Sequence, residues 1–290
     1  MLDAGLSRRR LLTAGAALAA GFVTAGCGSA TGHAADRIAE TSPDRTAGLA
    51  ATKLPLTSTG MTPDAVAAKY AGKKPQQWGT DIPGIITNFN ATGKQFAVTF
   101  DACGGPGNND IDENLLSLLI AQQIPATLFV NRRWIDANQA RAAQLAANPL
   151  FELGNHGTAH RPLSVNGRAA YEIKGTGSPQ EAVDEVWGNH ERLVALTGRA
   201  PRFFRTGTAH YDELAVSIVQ DLGETPVGFS INADLGATAT AAQVQANMLK
   251  AQSGGISLAH MHRPKSGTGP GMYNSIPALR SNGFAFVGLP

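Results

Sequence analysis

The chain has 290 residues, 43% apolar and 16% charged, a balance that allows a sizeable buried core and argues against disorder of the whole chain. Its 24 basic and 22 acidic residues leave a net charge of +2, and no basic stripe is interleaved with aromatics, so a nucleic-acid partner has no support. The two cysteines, Cys27 and Cys103, exclude a disulfide-stapled mini-fold and a four-cysteine zinc module, which leaves seven histidines for chemistry.

Residues 1–27 read as an export signal. Ser7-Arg8-Arg9-Arg10-Leu11-Leu12 places paired arginines ahead of an alanine-rich run that is too short and too broken by glycine to remain as a membrane helix. The pattern resembles a twin-arginine signal, which carries folded proteins across a bacterial membrane. Thr24-Ala25-Gly26-Cys27 is similar to a lipoprotein cleavage box, with Cys27 the residue that would carry lipid. Cleavage nearby and retention as an uncleaved anchor are the alternatives. The expected location is the periplasm or cell surface, with membrane contact only through the signal or the lipid. Residues 28–80 read as a tether rich in Ala, Ser, Thr, Gly and Pro. Thr62-Pro63-Asp64 is a helix start signal inside it, for a short helix reaching Tyr70.

Residues 81–290 read as one domain in which strands alternate with helices. The strands expected are 95–100, 126–130, 150–153, 202–205, 226–231, 255–260 and 284–289. Helices are expected over 112–123, 138–147, 180–197, 212–222, 241–252 and 275–282. About seven such units predict a parallel α/β architecture closed like a barrel. Chemistry in these folds collects at the carboxyl ends of the strands, where Asp101, His156, His160, Arg205, Asp234 and His260 all fall.

His156 and His160, four residues apart, suit a divalent metal. Asp101 is the candidate general base, though an Asp ahead of Gly104-Gly105-Pro106-Gly107 also suits a turn cap. His260 is the candidate acid, with His262 two residues on facing the same way. Arg205 suits bridging to Asp101, and Asp234 suits holding an imidazole protonated. A plain salt bridge is the simpler reading of either one taken singly.

Thr99-Phe100-Asp101, His-x-x-x-His, an arginine motif, an aspartate motif and Leu258-Ala259-His260, in that order, resemble the polysaccharide deacetylases of carbohydrate esterase family four. The resemblance covers roughly residues 95–290. It implies a distorted (β/α) barrel that binds zinc or a similar divalent ion and removes N- or O-acetyl groups from an acetylated polysaccharide. It also implies Asp101 as base, His156 and His160 as metal ligands, His260 as acid, and Arg205 and Asp234 as supports. Two departures stand out. Ala102 and Cys103 follow Asp101 where the family has a second, metal-binding aspartate, and Arg205 is followed by Thr206-Gly207-Thr208 where the family has a proline and a tyrosine. The Phe-Asp-Ala-Cys-Gly-Gly form is similar to a recurrent subgroup of deacetylase-like sequences. The third ligand is therefore open between Asp101, Cys103 and Asp112, in that order, with Asp110 a further acidic residue nearby and helix capping the simpler role for Asp112. Two other functions compete, a non-catalytic glycan-binding surface protein and a hydrolase of a non-sugar amide.

Overall fold

The computed structural model describes residue 57 and residues 59–290. The arginine pair Arg8 and Arg9, the box at Cys27 and the tether over 28–56 lie outside the described residues. No helix among the described residues is long and apolar enough to cross a membrane.

The strands are β1 (Gln95–Ala102), β2 (Ala126–Val130), β3 (Phe151–Asn155), β4 (Phe203–Phe204), β5 (Thr225–Pro226), β6 (Ile231–Asn232), β7 (Gly255–His260) and β8 (Ala285–Val287). Seven of them follow the order β5-β4-β3-β2-β1-β7-β6, and β8 pairs with the first residues of β1. Every pairing is parallel, and the sheet curls into a distorted (β/α) barrel. The central strand β1 is buried along nearly its whole length, as a parallel strand covered on both faces must be. Its side chains alternate. Phe96, Val98, Phe100 and Ala102 enter the main core under the helices, while Ala97 joins a smaller cluster with Phe129, Phe203 and Ile256 inside the curl. Thr99 and Asp101 share that inner side, and the same alternation brings Cys103 there as well.

The helices are α1 (Pro63–Tyr70), α2 (Glu113–Ala121), α3 (Arg132–Ala137), α4 (Gln139–Ala147), α5 (Pro179–Thr197), α6 (Glu213–Asp221), α7 (Ala241–Met248) and α8 (Thr268–Ser281). Asp112, Ser178, Asp212 and Thr240 cap α2, α5, α6 and α7, each accepting the N–H three residues on. Such caps are worth about 1 kcal/mol each.

Three differences from the sequence expectation have physical causes. The strand expected over 226–231 is two fragments at opposite ends of the strand order, β5 on β4 and β6 on β7, with only residues 227–230 between them. Past Pro226 the chain turns from β4 toward Ile86, whose N–H donates to the Pro226 carbonyl at 2.9 Å and whose carbonyl accepts from Gly228 N at 2.8 Å, and it crosses there between the two edges of the curl. Helix α8 begins at Thr268 rather than 275, because Gly269 and Gly271 are close-packing positions, not breakers. A Cβ at Gly271 would collide with Val244 of α7, and one at Gly269 with Asp112. Helix α1, assigned by sequence to the tether, docks instead. Its Val66, Ala67 and Tyr70 are buried with Val183, Val186, Val216 and Val219 of α5 and α6, so the body starts before residue 81.

Candidate active site

Five strand ends converge inside the curl. Asp101 near the end of β1 pairs in register with His260, the last residue of β7, so the two stand side by side. His156 follows β3 directly, and Arg205 follows β4.

Fully buried Arg205 spreads its donors over four acceptors. Nη1 donates to Asp101 Oδ1 at 2.8 Å and to Thr99 Oγ1 at 2.7 Å, Nη2 to the Gly228 carbonyl at 2.8 Å, and Nε to the Val227 carbonyl at 3.3 Å. Its plane lies 4.2 Å from the Phe129 ring centre. The crossover between β5 and β6 thus supplies the carbonyls that satisfy the arginine. Asp101 is left with one oxygen, Oδ2, free of the arginine and 3.6 Å from His156 Nε2. A surface salt bridge is not what this geometry describes.

The buried His156 ring is oriented by its Nδ1, which donates to the Arg205 carbonyl at 2.8 Å and leaves the Nε2 lone pair facing the interior. Nε2 lies 3.8 Å from Cys103 Sγ. The His160 ring stands nearly perpendicular to that of His156, 4.9 Å between centres, and its buried Nε2 has no partner. One ligating atom each from Cys103, His156 and His160 falls within 4.8 Å of the others. Burial drives the His156 pKa down to about 3 and that of His160 well below the usual value, so both rings keep a lone pair at neutral pH. Burial raises the Cys103 thiol, opposed by a bond from His260. An unpartnered buried imidazole nitrogen with an N, N, S donor set fits a divalent ion of the zinc type.

The gathered donors differ from the order read in the sequence. Cys103, placed second there, completes the cluster, while Asp101, placed first, has Oδ1 tied to Arg205. Asp112 is buried and caps α2 through Leu115 N at 3.0 Å, the simpler role that sequence offered it.

On the other side of Asp101, His260 Nδ1 lies 2.9 Å from Asp234 Oδ1, and the backbone N–H of His260 donates to Oδ2 at 2.7 Å. Thr268 Oγ1 donates to the same oxygen at 2.8 Å. Burial disfavours the imidazolium, but the Asp234 carboxylate outweighs it and holds the His260 pKa well above the usual value. His262 has no such partner. Its Nδ1 lies 3.2 Å from the Asp101 carbonyl, and burial with the nearby His260 charge lowers its pKa to about 4.

Residues 89–227 match the family model described as polysaccharide deacetylase. Over that stretch, a little under half of its length, the chain is similar to polysaccharide deacetylases. Asp234 and His260 lie beyond the matched stretch. No curated protein sequence matches the chain. Among solved structures, wild-type BA3943, a family four carbohydrate esterase pseudoenzyme from Bacillus anthracis, is 20% identical, with 71% of this chain and 67% of that one covered and a TM-score of 0.59. The Bc1960 peptidoglycan N-acetylglucosamine deacetylase is 22% identical over 71% and 91% of the two chains, also with a TM-score of 0.59. A family four acetyl xylan esterase from Clostridium thermocellum, solved with a cobalt ion, is 24% identical over 67% and 88%, with a TM-score of 0.54.

Several residues that position the histidine loop carry no motif in the sequence. Asn131, just after β2, donates from Nδ2 to the carbonyls of His156 and Gly157. Asn155 Oδ1 accepts from Gly157 N at 2.9 Å and from Asn189 Nδ2 at 2.8 Å. Glu185 of α5 accepts from the backbone N–H groups of Ala159 and Arg161, and its burial raises its pKa to about 7. Gly157 has a φ of +77° and packs so closely on Glu185 that no Cβ fits. Asn131 and Asn155 stand at strand ends, so the strand-end search would have found them had it admitted amides. Glu185 shows in sequence as an acid on the apolar face of α5, among Ala182, Val183 and Val186.

Proposed function

We propose that the protein is an exported, metal-dependent hydrolase that removes N- or O-linked acetyl groups from a cell-envelope or extracellular polysaccharide. The observation that carries this reading is the converging donor set of Cys103, His156 and His160 beside an arginine-held carboxylate and an aspartate-held imidazole. These three residues would hold the ion, zinc first among candidates, with Cys103 taking the place of the aspartate that Ala102 cannot supply. A divalent ion there supplies Lewis acidity toward an acyl carbonyl and its attacking water.

The chain's own groups do the rest. Arg205 fixes Asp101 through Oδ1, so Oδ2 is the atom that takes the proton from the attacking water. His260 carries a proton at neutral pH because Asp234 stabilises its charged form, and it delivers that proton to the leaving amine or alcohol. His262, lowered to about 4, is neutral in the same range and is unsuited to that role. Export through the arginine pair Arg8 and Arg9, with lipid or simple cleavage at Cys27, would place the enzyme with such a polymer.

A non-catalytic glycan-binding role is the second reading, favoured by Ala102 and by the pseudoenzyme among the structural neighbours. A pure binder has no use for a buried base and a protonated histidine on adjacent strand ends. Acetate release from peptidoglycan, chito-oligosaccharides and acetyl-xylan, with and without added zinc, tests the reading. Zinc-stimulated release supports it, and no release from any of the three removes it.

A further inference from the structure

Four side chains that the catalytic chemistry leaves unused gather near His160. The His210 ring lies between those of Trp78 and Tyr171, at centroid distances of 5.8 and 5.3 Å, and the Arg168 guanidinium lies 5.3 Å from the Trp78 ring. Tyr171 is 75% exposed. Its backbone is an unusual way to hold an aromatic ring. Ala170 and Ile173 exchange both backbone hydrogen bonds across a two-residue turn, and the central residues, Tyr171 and Glu172, have φ of 50° and 64°. Turns with two positive φ values ordinarily carry Asn-Gly. Tyrosine and glutamate there carry strain with no gain in burial, which points to a use for the exposed ring.

The cluster is continuous with the site. Gly207 packs on the backbone and ring of His160 so closely that a Cβ would collide, and His210 is three residues on, no more than about 11 Å along the chain. Thr206 Oγ1 donates to the Arg161 carbonyl at 2.6 Å and Leu163 N to the His210 carbonyl at 3.0 Å, which ties the two segments together from the metal donor to the cluster.

We propose that Trp78, Tyr171 and His210 form a stacking subsite for sugar rings of a glycan whose neighbouring unit occupies the metal site, with Arg168 donating to their hydroxyls. The proposal rests on the deacetylase reading above and extends it to a substrate longer than one sugar. A pyranose ring offers an apolar C–H face to an aromatic ring and hydroxyls to a nearby donor, and the cluster supplies both. Trp78 lies outside the stretch that matches the family model, while Arg168, Tyr171 and His210 lie inside it.

The test measures binding of N-acetylated chito-oligosaccharides and acetylated xylo-oligosaccharides of one to six units to the wild-type, Trp78→Ala and Tyr171→Ala proteins. Calorimetry gives the affinities, and acetate release is followed separately. Trp134 and Trp187 are buried whereas Trp78 is only partly buried, so wild-type emission should also change on binding. Affinity should climb with chain length, and the ratio of six-unit to one-unit affinity should fall roughly three- to tenfold in each variant. The exposed Tyr171 carries the test if Trp78→Ala fails to fold. An unchanged ratio in Tyr171→Ala, or no oligosaccharide binding by the wild type, overturns the proposal. Length-dependent binding without acetate release keeps the subsite and removes the deacetylase reading, while acetate release with unchanged ratios does the reverse.

Discussion

Asp101 and His260 are paired residues on adjacent parallel strands, and each is held by a different buried partner. Arg205 takes one oxygen of Asp101, and Asp234 takes Nδ1 of His260. One register pair therefore brings a proton acceptor and a proton donor together, each oriented from outside the pair.

Asp101→Asn should keep the fold, since an amide oxygen can still accept from Arg205, and should lower kcat by on the order of a hundredfold or more. Turnover measured beside a thermal unfolding curve separates the two effects. A folded variant with parental turnover would show that Asp101 only shapes the turn before Gly104.

Arg205→Met should be costly in stability even without substrate. It strips a buried carboxylate of its partner and leaves two carbonyls, Val227 and Gly228, without a donor. Loss of one member of a buried pair costs about 3–5 kcal/mol. Urea unfolding measures it, and a change below about 1 kcal/mol would mean that the pair behaves like a surface salt bridge.

The His260 and Asp234 pair makes a signed pH prediction. The folded pKa of His260 is raised, so the pair's stabilisation is fully present below the ordinary histidine value of 6.5 and fades as pH rises through the folded value. The folded pKa of Asp234 is lowered, burial opposing and His260 outweighing it, so the stabilisation also fades in acid, below the ordinary value of 3.8. Asp234→Asn should therefore lower the urea midpoint more at pH 6 than at pH 10. Equal losses at the two pH values would show that no charge is involved.

Replacing Arg8 and Arg9 by lysine should trap precursor inside the cell, if the pair is the element that the export machinery reads. Normal secretion of the double variant would point to the general secretory route, and mass analysis of the mature amino terminus would show whether Cys27 carries lipid.

Much of this site was legible because a parallel sheet collects chemistry at one end, so polar groups just after apolar runs mark it. Asp101, His156, His160, Arg205, Asp234 and His260 all stand just after such runs. The pattern has less purchase where side-chain reach decides. Asp101 and Cys103 share a face by alternation, but only the structure shows Arg205 occupying the first and the second standing near His156. Residues 226–231 read as one strand because β-branched and aromatic composition does not show that its two ends pair with opposite edges of the sheet. Glu185 stands out in sequence as an acid on an apolar helix face, but that face does not say what it binds. Its partners are backbone groups of a distant loop.

The account depends most on the thiolate of Cys103 completing the donor set with His156 and His160. The direct measurement is the near-ultraviolet absorption of the cobalt(II)-loaded protein, compared between the parent, Cys27→Ser and Cys103→Ser, with zinc affinity measured on the same three. The parent and Cys27→Ser should share an intense thiolate-to-cobalt band, and Cys103→Ser should lose it together with roughly a hundredfold in zinc affinity. A band and an affinity unchanged in Cys103→Ser would contradict the account and return Asp101 to the position of third ligand.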